Sequence, residues 1–217
     1  AVMLNEQGRT VYPNIPHMTN TNIIPLLSFA TVNLDWEWRY GKSDFQDRFT
    51  WDLTVAQTIG RQCGNVPMIL GGGHTPRDDP AYRWMTRTRL GVCLVHEIRV
   101  WDHGPEEHYA MYSKLFEFGY GLPECAVYNY WDEGFPMQIA GVEGKGIVLA
   151  SGERAIAIVT DYGEGGDCTM TLGLAALGLA NTVSATDLET GEAMTAAAPG
   201  VVTFPLKKHD FRAVLFE

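Results

Sequence analysis

In the run "NIIPLLSFATVNLDWEW", Asp35, Trp36, Glu37 and Trp38 follow an apolar stretch and alternate acid with indole. If the strand-like run continues through them, Asp35 and Glu37 emerge on one face and Trp36 and Trp38 on the other. Two carboxylates can act as proton donor, base or nucleophile at an acetal carbon, and indole faces stack on the C–H faces of a pyranose. These are the parts of a sugar site. The same acids could instead pair with Arg39 or Arg48 as a structural network, and the same indoles could be core.

Further candidates follow downstream. "VCLVHEIRVW" reads as a strand carrying His96, Glu97 and Trp101, with Asp102 after it, and "GGGH" (residues 71–74) brings His74 next to glycines that let a ligand approach the backbone closely. The expected assignment makes Glu37 and Glu97 the acid/base candidates, with Asp35 orienting or substituting. Trp36, Trp38 and Trp101 frame the sugar ring, and His74, His96 and Asp102 are further substrate contacts. The spacing of His74, His96, Glu97 and Asp102 matches no standard metal signature, so no metal is expected. No Gly-x-Gly-x-x-Gly or Walker pattern occurs, so no nucleotide cofactor is expected, and no Gly-x-Ser-x-Gly elbow points to an esterase.

Residues so placed need elements to hold them. After the first strand, "TWDLTVAQTIGRQCG" reads as a helix with Thr50 as cap and Gly64 as stop; "NVPMILGGG" reads as a second strand. "DDPAYRWMTRTRLG" is a helix capped by Asp79, with Pro80 at its first position and Gly91 at its end, leading into the third strand. "GPEEHYAMYSKLFEFGYG" is a third helix, stopped by Gly119. Strands alternating with helices imply a parallel sheet, whose functional groups gather beyond the carboxyl ends of the strands. From about residue 123 the texture changes to eight short β-like runs, which imply an antiparallel β-sandwich. Within this half "DLETGE" is a hairpin turn and "MTAAAPG" a loop. "YNYWDE" is either sandwich packing or the contact between the two halves.

The expected fold is therefore α/β plus all-β: a partial (β/α)8 TIM-type barrel over residues 1–122, then a β-sandwich over residues 123–217. A complete eight-fold barrel takes about 250 residues, and three strand–helix units cannot close one. The first half is thus either a small open α/β layer or the last part of a barrel.

Composition narrows the partners. The chain has 217 residues, 46% of them apolar, and a net charge of −10 with acids and bases interspersed; it offers no basic stripe for nucleic acid. No apolar run reaches the roughly 20 residues that span a bilayer. The cysteines Cys63, Cys93, Cys125 and Cys168 form no Cys-x-x-Cys pair and are expected to be free, buried thiols.

The stretches "LLSFATVNLDWEWRYGKSDFQDRF", "VPMILGGGHTPRDDPAYRWMTRTRLGVCLVHEI", "ATDLETGE" and "FPLKKHDFRAVLFE" resemble the C-terminal part of a glycoside-hydrolase-type protein, namely the last strands of a (β/α)8 barrel followed by a β-sandwich. The nearest group is the relatives of glycoside hydrolase family 123, whose characterised members remove N-acetylgalactosamine. The resemblance covers nearly the whole chain but only the rear of such a protein. It implies a hydrolase that cleaves a glycosidic bond in an oligo- or polysaccharide, secreted or periplasmic, with a carbohydrate substrate. The family's adjacent Asp-Glu pair lies on an earlier barrel strand, whereas Asp132 and Glu133 here open the sandwich. The resemblance thus places the catalytic pair in an N-terminal segment, or a second chain, that completes the barrel. The alternative of a different class is a non-catalytic carbohydrate-binding or scaffold protein.

Overall fold

Asp79 and Pro80 start a helix as their chemistry dictates: the Asp79 carboxylate accepts from the Ala81 N–H at 2.8 Å, and proline occupies the first turn. The computed structural model describes residues 17–18, 32–38, 44–58, 66–71, 78–101, 106–180 and 184–217. Among these, strands β1 (His17–Met18), β2 (Val32–Trp38), β3 (Val66–Gly71) and β4 (Arg99–Trp101) form one parallel sheet in the order β1-β2-β3-β4. Helices α1 (Phe45–Arg48) and α2 (Trp51–Thr58) lie between β2 and β3. Helix α3 (Pro80–Val95) connects β3 to β4, and α4 (Glu106–Phe118) follows, ending at Gly119 with φ 116°.

Helix α3 does not stop at Gly91. A Cβ on Gly91 would lie 2.7 Å from Thr160 Oγ1 and 2.9 Å from Phe211 Cβ, so the glycine is there to let the helix sit against the sandwich. The run "VCLV" is the last turn of this helix, with Val92, Cys93 and Val95 fully buried. This corrects the expected strand over "VCLVHEIRVW", of which only Arg99–Trp101 is β. A short apolar run enclosed on all sides carries no periodicity that separates helix from strand.

The second half is a sandwich of two antiparallel sheets. One has six strands: β5 (Ala126–Asn129), β7 (Gly144–Ser151), β8 (Arg154–Asp161), β10 (Ala185–Asp187), β11 (Ala193–Met194) and β14 (Phe211–Phe216), in the order β11-β10-β14-β8-β7-β5. The other has four: β6 (Met137–Ala140), β9 (Gly165–Leu172), β12 (Ala196–Ala198) and β13 (Val201–Lys207), in the order β12-β13-β9-β6. All eight β-like runs form strands. "MTAAAPG", expected as a loop, holds β11 and β12 in part, because pairing with β10 and β13 fixes residues of low intrinsic strand preference. "DLETGE" is the expected turn, with Asp187 Oδ1 accepting from the N–H groups of Glu189 and Thr190 and Gly191 at φ 76°.

The six-stranded sheet is buried on both faces, and β8 shows how. Ala155, Ala157 and Val159 face the sandwich interior with Met170, Val202 and Phe204, while Ile156 and Ile158 face Leu90 and Leu94 of α3 and Met111 and Leu115 of α4. Small side chains meet the opposing sheet and large ones meet the helices; each buried Ile contributes roughly 1.5–3 kcal/mol of transfer free energy. Helix α3 also turns Tyr82, Met85, Val92 and Cys93 toward Phe45, Ile69 and Ile98 of the parallel layer. One helix therefore belongs to two cores. Cys93, Cys125 and Cys168 are buried and in no disulfide among the described residues, and Cys63 lies outside them.

Candidate functional site

In the parallel sheet, Ile69 pairs with Asp35, Gly71 with Trp38, and Leu70 with Trp101, so the last residues of β2, β3 and β4 stand level at one edge. Asp35, Trp36, Glu37, Trp38 and Trp101 therefore share the carboxyl end, where a parallel α/β sheet presents its ligand groups. The register shifts between Asp35 and Trp38, which interrupts the strict alternation behind the same-face reading of Asp35 and Glu37. His74 and Asp102 lie outside the described residues.

His96 and Glu97 stand at the opposite end. They close α3 and precede β4, so they sit at the amino edge of the sheet. From Glu97 to the level of Glu37 is on the order of 15 Å along the strands at ~3.3 Å per residue. A retaining carboxyl pair is about 5–5.5 Å apart and an inverting pair about 6.5–9.5 Å. The structure does not bring Glu37 and Glu97 together as an acid/base pair, and His96 is not beside the carboxyl-end residues.

At the amino end the side chains of His96 and Glu97 are held by hydrogen bonds. Ile98 N–H donates to Cys93 O at 3.0 Å, and Glu97 takes the left-handed conformation after the helix with φ 55°. Its carboxylate is fixed on both oxygens: Tyr120 O–H donates to Oε1 and Asn129 Nδ2 to Oε2, each at 3.2 Å. Burial, with the Glu97 carboxylate beside it, pushes the Tyr120 hydroxyl up to about 12. The Arg99 guanidinium lies 4.9 Å from the centre of the Tyr120 ring.

His96 is equally committed. Its Nδ1 lies 2.8 Å from the Val92 carbonyl, which can only accept, so Nδ1 carries the proton. Nε2 then accepts from Tyr130 O–H at 2.9 Å, and that oxygen accepts from Trp51 Nε1–H at 2.9 Å. Burial pushes the imidazole down to about 4, against the pull of the Val92 carbonyl and with help from Lys145. Lys145 Nζ lies 4.4 Å from the Trp51 ring centre, and the Trp131 ring stacks on His96. Of the two readings of "YNYWDE", the contact between the halves applies to Tyr130 and Trp131.

One feature lay beyond sequence reasoning because its partners are far apart in the chain. His209, buried in the turn between β13 and β14 at φ 62°, has Nδ1 2.9 Å from Asp44 Oδ2 and 4.0 Å from Asp47 Oδ1. Asp44, Asp47 and His209 are, among the described residues, the group whose donor atoms could surround a cation. The direct Asp44–His209 hydrogen bond and the exposure of Asp47 make it a contact that docks α1 on the sandwich. Gln46 adds to that docking by donating to His209 O at 3.2 Å.

The described residues form a parallel α/β layer followed by a double-sheet sandwich, an architecture shared with several solved structures. Among solved structures, the chain is similar to alpha-galactosidase I from Mortierella vinacea, with TM-score 0.55 and 12% identity over 98% of this chain and 60% of that one. It is also similar to an alpha-amylase from Malbranchea cinnamomea, with TM-score 0.53 and 12% identity over 92% of this chain and 49% of that one. A maltogenic alpha-amylase from Thermotoga neapolitana matches with TM-score 0.50 and 11% identity over 99% and 56%. The chain spans between about half and three-fifths of the length of these structures. No protein family and no curated protein matches the chain. At such identities the likeness shows the fold, and it does not single out family 123.

Proposed function

We propose that the chain is the rear part of a glycoside hydrolase, contributing the last strands of a (β/α)8 barrel and the C-terminal sandwich. Its sugar contacts lie at the carboxyl ends of β2, β3 and β4. Asp35 and Glu37 supply carboxylates there, and Trp36, Trp38 and Trp101 supply ring-stacking surface. The observation that carries this reading is the register of the parallel sheet, which sets these residues level at one edge. On this reading an N-terminal segment or a second chain, pairing with β4, completes the barrel; β4 is the last strand in its sheet among the described residues. Glu97 and His96 are positioning residues of the layer–sandwich junction.

The test is hydrolysis of a panel of aryl α- and β-glycosides by the natural protein, with Asp35→Asn, Glu37→Gln and Glu97→Gln beside the parent. Loss of turnover in the first two, with the third unaffected, supports the reading. No hydrolysis of any glycoside, with no binding of the corresponding sugars, overturns it.

A further inference from the structure

Where the layer meets the sandwich, two tryptophans stand partly in water and are held in place. Trp51 opens α2 and is 36% exposed; Trp131, in the turn after β5, is 38% exposed. Tyr130 touches both. Its hydroxyl accepts from Trp51 Nε1–H at 2.9 Å, and its ring meets the Trp131 ring edge-on with centres 4.8 Å apart. The same hydroxyl donates to His96, whose other nitrogen is bound to the Val92 carbonyl. The turn is pinned as well, because Asp132 Oδ2 accepts from Asn129 N–H at 2.8 Å and Tyr130 N–H donates to Gly146 O at 3.2 Å. Both indoles are therefore oriented before any ligand arrives, which lowers the entropy cost of binding one.

The contacts show which ring faces are open. Trp131 lies nearly parallel to the buried His96 ring, with an interplanar angle of 21°, so one face of the indole is covered and the opposite face is the exposed one. Lys145 Nζ lies 4.4 Å from the Trp51 ring centre and puts an ammonium at the margin of the surface. Exposed acids flank the rings: Asp52 follows Trp51, and Asp132 and Glu133 follow Trp131. Glu143, two residues before Lys145, is turned over Gly163. These carboxylates outnumber the ammonium and give an anionic ligand no net attraction, while Lys145 already occupies a ring face that a cation would seek.

Size and shape restrict the ligand further. An aromatic side chain can bury about 150–250 Å², so each indole offers roughly 55–95 Å². A stable protein interface needs about 800 Å² per partner, far more than the pair provides. A ligand on an open surface stays half in water, so it needs apolar faces to stack and a rim that keeps its hydrogen bonds to water. A pyranose has both, and because Tyr130 touches the two indoles, a short chain of such rings reaches both.

We infer that Trp131 and Trp51 form a stacking platform for a short stretch of neutral oligosaccharide, apart from the carboxyl-end site. The inference does not rest on the glycosidase reading, and the absence of glycoside hydrolysis leaves its readout unchanged. Its test is titration of the natural protein with three neutral tetramers, α-1,4-linked glucotetraose, β-1,4-linked glucotetraose and β-1,4-linked galactotetraose. The indole ¹H–¹⁵N resonances report binding, and tetragalacturonate and phenol serve as the acidic and the aromatic comparisons.

At least one neutral tetramer is expected to move the Trp131 and Trp51 resonances. Trp131→Ala should weaken that tetramer about tenfold or more, the worth of the apolar area removed. Trp131→Tyr, which keeps an aromatic face, should restore most of the affinity, whereas Trp131→Leu should not. The resonances of the parental protein decide the matter even where a variant fails to fold. The inference is overturned if no neutral tetramer moves them, or if tetragalacturonate or phenol binds there more tightly than all three. Equal affinity in Trp131→Leu and Trp131→Tyr also overturns it. So does binding that survives Trp131→Ala but vanishes in Asp35→Asn, since it belongs to the carboxyl end.

Discussion

The two ends of the parallel sheet carry the same kinds of residue, and on the proposed reading they use them in opposite ways. At the amino end, both nitrogens of His96 and both carboxylate oxygens of Glu97 have partners, drawn from α3, the turn after α4 and the sandwich. At the carboxyl end, Asp35 to Trp38 close a strand whose register shifts among them, beside a glycine at the end of β3 and Trp101 at the end of β4. Acids and aromatics near a strand do not identify a site; strand direction does. Groups before a parallel strand are spent closing the helix that leads into it, and groups after it are available to a ligand.

The largest expected effect breaks this comparison most directly. Glu37→Gln and Asp35→Asn should lower glycoside turnover by about 10–10²-fold, the ordinary worth of a charged hydrogen bond to the sugar. Glu97→Gln should leave turnover unchanged. Steady-state hydrolysis by the natural protein checks both, and an equal loss in all three would put Glu97 back among the catalytic groups.

Next in size is the pH dependence of stability. His96 and His108 have folded values near 4 and 3, well below the ordinary 6.5. Between those values and 6.5 the unfolded chain binds more protons than the folded one. Stability is thus complete above about pH 6.5 and falls as the medium is acidified. The loss from His96 is finished near pH 4 and that from His108 near pH 3. Each contributes at most about 1.4 kcal/mol per pH unit in its window. Thermal melts from pH 7 to 5 should show the decline, with a shallower slope in His108→Leu; a flat profile would mean that neither imidazole is held neutral.

Much of the architecture was legible because its causes are local. The Asp79–Pro80 helix start, the Gly119 stop, the eight β runs and the "DLETGE" turn each rest on chemistry within a few residues. What could not be read depends on distant partners. Gly91 resembles a helix stop until Thr160 and Phe211 are brought against it. "VCLV" loses helical periodicity because α3 is packed between two layers. The acids of the candidate site were visible, but the end of the sheet to which each belongs became visible only with the correct boundary of β4.

Gly91→Val tests the packing half of that account. A branched side chain at 2.7–2.9 Å from its neighbours must displace α3 from β8 and β14. Overpacking of this kind costs typically about 1–3 kcal/mol. Because α3 shares one face with each core, the layer and the sandwich should be destabilised together. Near- and far-ultraviolet melts that shift by the same amount would show this, whereas loss of the layer alone would separate the two.

The smallest expected effect separates holding from reacting at Glu97 itself. The residue sits at φ 55° in the position after a helix that favours glycine, and its carboxylate takes bonds from Tyr120 and Asn129. Glu97→Ala removes those bonds and keeps the left-handed backbone, for a loss of about 1–3 kcal/mol. Glu97→Gly removes the same bonds but relieves the backbone by about 1 kcal/mol. The glycine variant should therefore melt above the alanine variant, by roughly 2–4 °C for each kcal/mol in a chain of this size. A positioning residue predicts that ordering of melting temperatures with turnover equal in the two folded variants. A catalytic residue predicts that both are inactive whichever melts higher, so the pair of variants distinguishes the two roles even where the stability difference is small.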